Sequence, residues 1–186
     1  MYDEQAGGVA PLGKKQRILQ RKAALWAERS SWITHWQEIS DYILPGAGRY
    51  FVTDRNKGTN RNQNIYDNTG IRALRVLAAG MMAGMTSPAR PWFRLAISDR
   101  DLMEAGPVKV WLNQVTLLMR DVFNRSNTYR ALHSGYEELG AFGTAATLVL
   151  PDFDNVIHHY PMTIGEYAIG TDHRGRVDTL GREFQM

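Results

Sequence analysis

Residues 106–150 read GPVKVWLNQVTLLMRDVFNRSNTYRALHSGYEELGAFGTAATLVL, and the spacing of their apolar side chains changes from helical to alternating. Pro107 suits the first turn of a helix, and the apolar residues that follow keep the helical period. They are Val108, Trp111, Leu112, Val115, Leu118, Met119, Val122 and Phe123. Ser126 or Asn127 caps a second helix, which ends near Gly143. Beyond Gly143 the chain alternates as strands do.

The end of the chain predicts strands at 144–150, 156–160, 166–171 and 176–184. The last two are joined by a turn through Asp172, His173, Arg174 and Gly175. Helices first and strands last are typical of an α+β fold, here amino-terminal helices followed by an antiparallel β region. The final strand reaches Met186 without a closing turn, so we expect the β region to be incomplete.

The first hundred residues predict two more helices. One begins at Lys14, carries an apolar stripe that repeats every seven residues, and is stopped by Pro45 and Gly46. The next is capped by Asp67 or Asn68 and runs to a proline-rich turn.

Residues 92–98 are predicted to be a strand with one buried face, because Phe93, Leu95 and Ile97 alternate with Arg94, Ala96 and Ser98. The whole pattern divides the chain into three regions. They are a flexible arm at 1–13, a mainly helical region at 14–143 with that strand near 92–98, and a β-rich segment at 144–186.

Composition describes an ordinary globular chain of 186 residues, with 44% hydrophobic and 22% charged side chains. With no cysteine, disulfide frameworks, thiolate zinc sites and cysteine nucleophiles are excluded. No apolar run approaches the ~18 residues of a membrane span. The net charge of +3 hides an asymmetry: residues 1–100 hold 15 basic and 8 acidic side chains, and residues 101–186 hold 7 and 11.

No motif in the sequence indicates catalysis, a cofactor or a metal. His158 and His159 are neighbours in a predicted strand, so they point to opposite faces and do not share one ion. Glu137 and Glu138 diverge by about 100° on a helix and do not act on one bond together. A Gly-x-Ser-x-Gly elbow and a Gly-Lys-Ser/Thr phosphate loop are both missing from the sequence. We therefore predict a protein that is not an enzyme and needs no cofactor.

Two glycines four residues apart, Gly80 and Gly84, predict close approach of another helix. Met81 and Met85 beside them add an adaptable surface that suits a subunit contact. Pro88, Pro91 and Trp92 form a rigid turn into the predicted strand. Arg90, within that turn, stacks on the indole or pairs with a buried carboxylate.

The stretch at 46–64 is predicted to be a long exposed loop rich in cations, namely Arg49, Arg55, Lys57 and Arg61. Flexible cations neutralise phosphates without reading a base sequence, so the loop is a possible polyanion contact. A simple solvated loop explains the same residues equally well. Together with a sequence pI of about 9.3, the loop supports the alternative of a small, basic, non-specific nucleic-acid-binding module.

Several dispersed blocks resemble the amino-terminal part of the portal proteins, or head-to-tail connectors, of short-tailed bacteriophages. The resemblance covers about 26–186. Its blocks are Tyr42-Ile-Leu-Pro45 with Gly48-Arg49, Asp67-Asn-Thr-Gly70, Leu77-Ala-Ala-Gly-Met81, Thr86-Ser-Pro-Ala-Arg-Pro-Trp-Phe93, Ser126-Asn-x-Tyr129, Glu138-Leu-Gly-x-Phe-Gly-Thr-Ala145, Gly165-Glu-Tyr167 and Arg182-x-Phe184.

That resemblance implies a structural subunit of a ring, commonly of twelve copies, at one vertex of the virion capsid. Double-stranded DNA is packaged through such a ring by a separate terminase motor and later ejected, and the tail attaches to it. Its implied partners are further copies of itself, capsid and scaffolding proteins, the terminase and tail adaptor proteins, first in the host cytoplasm and then in the virion. Rings of this kind need two complementary surfaces per subunit, which the charge asymmetry is suited to supply.

Overall fold

The computed structural model describes residues 13–50 and 65–183, which form helices followed by two β-hairpins. The helices are α1 (Lys14–Ser30), α2 (Ile33–Tyr42), α3 (Thr69–Met85), α4 (Arg100–Glu104), α5 (Gly106–Arg125) and α6 (Thr128–Phe142). The strands are β1 (Ala146–Asp152), β2 (Val156–Met162), β3 (Tyr167–Thr171) and β4 (Val177–Arg182). The predicted α+β order is confirmed. The predicted arm at 1–13 falls, apart from Gly13, outside the described residues.

The helices α5 and α6 form where the apolar period predicts them. Pro107 lies in the first turn of α5, where its missing N–H costs no hydrogen bond. Helix α6 ends at Gly143, which has a φ of +73°. Helix α3 begins after Asp67, whose carboxylate accepts a hydrogen bond from the backbone N–H of Thr69 at 3.1 Å.

The single helix predicted from Lys14 to Pro45 is wrong, because the chain breaks at residues 31–32 into α1 and α2. The hydroxyls of Ser30 and Ser31 donate to the carbonyls of Ala27 and Glu28, at 2.6 and 2.8 Å. Side chains that bond to these carbonyls compete with the helix's own N–H groups. The apolar period continues across the break, so spacing alone does not reveal it.

The strand predicted near 92–98 is also wrong, since these described residues pair with no other strand. The burial alternation is present: Phe93, Leu95 and Ile97 are half-buried, and Arg94, Ala96 and Ser98 are exposed. The backbone N–H of Leu95 donates to the hydroxyl of Thr116 on α5, at 3.3 Å. The segment therefore lies extended along a helix, and the short helix α4 that follows it has no counterpart in the prediction.

The β region consists of two separate antiparallel hairpins, β1–β2 and β3–β4. The β1–β2 pairing runs from Ala146 opposite Met162 to Asp152 opposite Val156. Strands β1 and β2 each extend two residues past the predicted ends. The β3–β4 turn at 172–175 is confirmed by two hydrogen bonds, Asp172 N–H to the Arg176 carbonyl at 2.8 Å and Gly175 N–H to the Asp172 carbonyl at 3.0 Å.

The core joins the two hairpins to the first helices. Tyr50, Met162, Ile164 and Tyr167 are buried together, and Ile33 and Trp36 of α2 pack against them, as do Phe142, Ala146, Leu148 and Tyr160. A second contact pairs α3 with α6 around the buried Leu74 and Ala78. Within the described ranges, none of the helices has both the length and the apolar content that crossing a membrane requires.

Candidate assembly surfaces and a polar junction

Helix α3 turns its glycines outward. Gly80 and Gly84 are exposed, and no atom of the described residues lies within 4 Å of a Cβ placed on either. The predicted close approach of another helix is therefore not made within the described part of the chain. The glycine that does permit close packing is Gly140 on α6, where a Cβ would lie 2.8 Å from Leu74 Cδ1 and 3.1 Å from Leu77 Cδ2.

The outward face of α3 is continuous. Arg72, Val76, Gly80 and Gly84 follow one another at four-residue spacing, which places them on one side of the helix. All four are exposed, and Val76 retains 73% of its accessible surface. Arg75, the second arginine of α3, is exposed as well. The face is thus cationic at one end and small and apolar along the rest.

The turn after α3 is built differently from its prediction. Arg90 neither stacks on Trp92 nor meets a buried carboxylate, because its Nη2 donates to the carbonyl of Ala83 at 2.9 Å, near the helix end. A cation there suits the negative end of the helix dipole. The indole of Trp92 lies 4.7 Å from the Phe93 ring and 6.1 Å from the Phe123 ring. Its Nε1 donates to the hydroxyl of Tyr129 at 3.3 Å.

Four further predicted contact residues lie around this turn. Met81 is half-buried, and Met85, Pro88 and Pro91 are exposed. The adaptable methionine side chain at the end of α3 therefore faces outward, next to the two prolines. This end of α3 is the part of the predicted contact surface that the fold leaves most open.

Of the four cations predicted in the loop at 46–64, Arg49 is the one that lies in the described residues. Its Nη1 lies 3.7 Å from Glu166 Oε1, and its backbone N–H donates to the carbonyl of Ile164 at 2.9 Å. Arg49 is thus tied into the fold, which corrects its assignment as a free loop cation. Arg55, Lys57 and Arg61 lie outside the described residues.

A buried carboxylate on α6 holds the connection between the two hairpins. Glu138 accepts hydrogen bonds from the Thr163 hydroxyl at 2.7 Å and from the Ile164 N–H at 3.1 Å. The Thr163 oxygen in turn accepts the N–H of Gly48 at 2.7 Å. One carboxylate therefore connects α6, the β2–β3 connection and the segment after α2.

Burial raises the pKa of Glu138 above its ordinary value, and the negative charges of Glu137 and Glu166 act in the same direction. The hydrogen bonds from Thr163 and Ile164 oppose burial, because both donate to the ionised form. Burial is the larger effect. The fold therefore holds the Glu138 carboxyl group in a buried position that favours its neutral, protonated form.

A second buried carboxylate, Glu166, completes what we call the polar junction. Its side chain is 5% exposed, forms a short ion pair with Arg182 of β4, and accepts a hydrogen bond from the hydroxyl of Tyr160 at 3.1 Å. The guanidinium of Arg182 also stacks over the Tyr160 ring, 4.5 Å from its centroid. The polar junction is therefore the set Gly48, Arg49, Glu138, Thr163, Ile164, Gly165, Glu166 and Arg182, together with Arg29.

Helix α1 reaches the polar junction through Arg29. Its guanidinium donates to the carbonyls of Gly165 and Tyr50, the latter at 3.2 Å. Gly165 has a φ of +85°, and a Cβ there would lie 2.6 Å from the carbonyl oxygen of Arg49. No side chain fits at this position, so the close approach depends on glycine.

The histidines of β2 play a structural part. His158 is exposed while His159 faces the fold, as strand alternation predicts. The side chain of Asn127 accepts the backbone N–H of His159 at 2.8 Å and donates to its carbonyl at 2.7 Å, which docks the start of α6 on β2. Among residues 13–50 and 65–183, no three His, Asp or Glu side chains gather as metal ligands would.

Sequence reasoning missed the polar junction, because it considered Glu138 only as one of two diverging carboxylates and assigned no role to Glu166 or Arg29. One signal was available. The blocks Gly48-Arg49, Glu138, Gly165-Glu166 and Arg182, which carry the family resemblance, lie far apart in sequence and meet at this one place.

Comparison with known proteins supports the family resemblance that those blocks carry. The profile of the bacteriophage head to tail connecting protein family matches residues 15–186. A probable portal protein of Bordetella phage BPP-1 is 64% identical over 178 residues, which are 96% of this chain and 32% of that protein. The portal protein of Salmonella phage epsilon15 is 47% identical over 173 residues, 93% of this chain and 31% of that protein.

The chain thus spans about a third of the length of these two relatives. The profile match extends from the second residue of α1 to beyond the end of β4. The blocks in the sequence and the match over nearly the whole chain point the same way, and the chain belongs to the family of bacteriophage head to tail connecting proteins.

Proposed function

We propose that this chain is the wing region of a portal subunit, which acts by assembly and not by catalysis. It takes its place in a ring, of twelve copies in the resembled family, at one capsid vertex. Double-stranded DNA enters and leaves through the ring, and the tail attaches to it. The observation that carries the proposal is the family match over residues 15–186.

The exposed face of α3 supports this proposal. A face of Val76, Gly80 and Gly84 has no partner among the described residues, and small residues let a neighbouring backbone approach closely. We assign this face, with Met85 at its end, to contact with the adjacent subunit. Pro88, Pro91 and Trp92 hold the turn that ends it.

The same proposal names partners and places. The ring contacts capsid and scaffolding proteins, a terminase motor and tail adaptor proteins, and it moves from the host cytoplasm during assembly to the virion vertex. Arg49 does not support the alternative of a nucleic-acid-binding module, because its guanidinium forms an ion pair with Glu166. A ring that grips its DNA would also oppose the passage of that DNA.

The first test is the mass of the purified chain by light scattering over a range of concentration, with negative-stain images of the same sample. We expect rings or their open arcs, growing with concentration. A strict monomer that binds DNA with steep salt dependence would overturn the proposal and favour the alternative.

A matched pair of variants tests the α3 face. Gly80→Leu places a bulky side chain on the proposed contact, so we expect it to abolish assembly while the melting temperature stays at or above that of the original chain. Gly135→Leu on α6 is the control, because a Cβ there also meets nothing within 4 Å. Assembly by the Gly80→Leu variant equal to that of the control would remove α3 from the interface.

A further inference from the structure

The tip of the β1–β2 hairpin carries an aromatic side chain with no contacts. Phe153 is fully exposed, at 108% of its reference surface. Val149 and Val156 beside it are more than half exposed, and Asp152 and Asp154 flank it in sequence. The tip is thus an apolar knob between two carboxylates.

The tip is held in one shape. Asp152 accepts hydrogen bonds from the N–H groups of Asp154 and Asn155, at 3.4 and 3.2 Å, and from the Asn155 side-chain amide at 3.2 Å. These bonds lower the pKa of Asp152, so its carboxylate stays charged. A rigid, charged tip loses little conformational freedom when it docks.

Val156, at the base of the tip, has a φ of +71°. The N–H of Ile157 donates across it to the carbonyl of Asn155 at 2.8 Å, which closes a γ-turn of the strained type. A β-branched residue adopts this conformation rarely, and such strain tends to accompany function. The strained turn lies three residues after the exposed Phe153.

A groove elsewhere on the chain has the complementary character. It lies between the start of α1 and strand β4, with a volume of about 450 Å³. Ile18, Leu25 and Leu180 line it with apolar surface, and Ile18 is itself 59% exposed. The groove is therefore open and apolar, where the tip is convex and apolar.

Cations surround this groove. Lys14, Arg17, Arg21 and Lys22 line it. Arg21 pairs with Asp178 at 3.4 Å and Lys22 with Glu183 at 2.5 Å, whereas Lys14 and Arg17 form no ion pair with any described residue. Two positive charges thus remain to meet two carboxylates.

We propose that the Asp152-Phe153-Asp154 tip of one copy of this chain docks in the α1–β4 groove of the next copy. Phe153 contacts Ile18 and Leu180, and the two carboxylates face Lys14 and Arg17. The contact uses two different patches of each copy, which is the kind of contact that repeats around a ring. The inference rests on the proposed ring and names one of its contacts.

The absence of cysteine from the sequence allows a direct test by disulfide crosslinking. In the Phe153→Cys/Ile18→Cys variant, mild oxidation of the concentrated chain is expected to give a ladder of covalent oligomers, because each copy offers a different sulfur to each neighbour. The matched control, Phe153→Cys/Val110→Cys, replaces the groove cysteine with one at an equally exposed apolar position on α5.

The ladder is expected to form at least about tenfold faster in the groove variant than in the control, since complementary charge raises the rate of encounter. Equal rates, dimers alone, or a disulfide within one chain would each overturn the inference. The mass of the unaltered chain, measured alongside, separates the two proposals: rings without the ladder reject only this contact, whereas a strict monomer without it rejects both.

Charge reversal provides a second measurement. Lys14→Glu with Arg17→Glu, added to the groove variant, is expected to slow crosslinking roughly tenfold or more. Adding Asp154→Lys to that protein leaves the hydrogen bonds of Asp152 in place, restores one pair of opposite charges and is expected to restore part of the rate. Slowing without rescue, or no slowing, would overturn the charge pairing proposed here.

Discussion

In most proteins charged side chains lie on the surface and apolar side chains lie inside. The polar junction has buried charges, whereas the α3 face and the β1–β2 tip have exposed apolar side chains. Glu138 and Glu166 are each only 7% exposed, whereas Phe153 and Val76 face outward. Glu138 and Glu166 lie inside beside the apolar core of Tyr50, Met162, Ile164 and Tyr167, and each is hydrogen-bonded there. The exposed apolar groups are of the kind that contacts other molecules, and we propose that they do so here. On that proposal, stability and assembly depend on separate sets of residues.

The largest loss of stability is expected from Gly165→Ala, which changes the polar junction and leaves the exposed apolar surfaces as they are. A Cβ would meet the Arg49 carbonyl at 2.6 Å in a backbone with positive φ, so we expect a loss of about 3 kcal/mol or more in the free energy of unfolding. Denaturant unfolding measures it. Gly175→Ala, with a φ of +74° and open space, should lose only about 1 kcal/mol; equal losses would show that contact at the polar junction does not matter.

Glu166→Ala removes the carboxylate that Arg182 and Arg49 face. We expect a loss of about 2 kcal/mol, less than for a fully buried pair because water reaches both arginines. Asp178→Ala is the control, since its pair with Arg21 is half exposed on both sides and should be worth less than about 0.5 kcal/mol. If thermal unfolding shifts equally in both, the polar junction stabilises no more than a surface ion pair.

Two glycine substitutions are expected to act with opposite sign. Gly140→Leu forces Leu74 and Leu77 to move, at a net cost of about 1 kcal/mol after the gain in helix propensity. Gly80→Leu meets nothing in the described fold, so it should raise the free energy of unfolding by a few tenths of a kcal/mol up to about 1 kcal/mol. A loss at Gly80 in chemical denaturation would mean that its face is covered within one chain.

The smallest effect is the titration of Glu138. Because burial raises the pKa of Glu138, the folded chain binds this proton more tightly than the unfolded chain does. As the pH falls from above the raised pKa toward the ordinary 4.5, the folded state gains stability relative to the Glu138→Gln variant. Below 4.5 the difference is constant. Unfolding of both proteins across this range measures it, and a difference that shrinks on acidification would contradict the assigned burial.

The helices α5 and α6, the four strands and the β3–β4 turn were predictable because their signals are local: an apolar period, a proline in the first turn, glycine at an end, and turn residues between the last two strands. The two errors have physical reasons. At 31–32 two serine hydroxyls compete for helix carbonyls without interrupting the apolar period. At 92–98 the alternating pattern indicates only that one face of the segment is buried. That face packs on helix α5, so the pattern does not require a sheet.

The polar junction was not predictable from spacing, because its members become neighbours only through the fold. Glu138 alone in a helix has the pattern of a surface carboxylate, and Arg29 that of a solvated cation. Glycine spacing marks Gly80 and Gly84 as places where a backbone is able to approach, whereas the close contact within the described residues is made at Gly140. Spacing does not show this, because the contact depends on where α3 and α6 lie.

The contacts of Gly165 also constrain the order in which the chain becomes structured. Arg29 and Gly165 are 136 residues apart, and Gly48 and Thr163 are 115 apart. During synthesis, α1 and α2 leave the ribosome long before the turn that binds them exists, and closing such distant contacts is slow. The apolar side of α2, with Ile33 and Trp36, stays uncovered until then. The contacts of the β2–β3 connection therefore form late in folding. A chain that has not yet formed them lacks the α1–β4 groove into which a neighbour would dock.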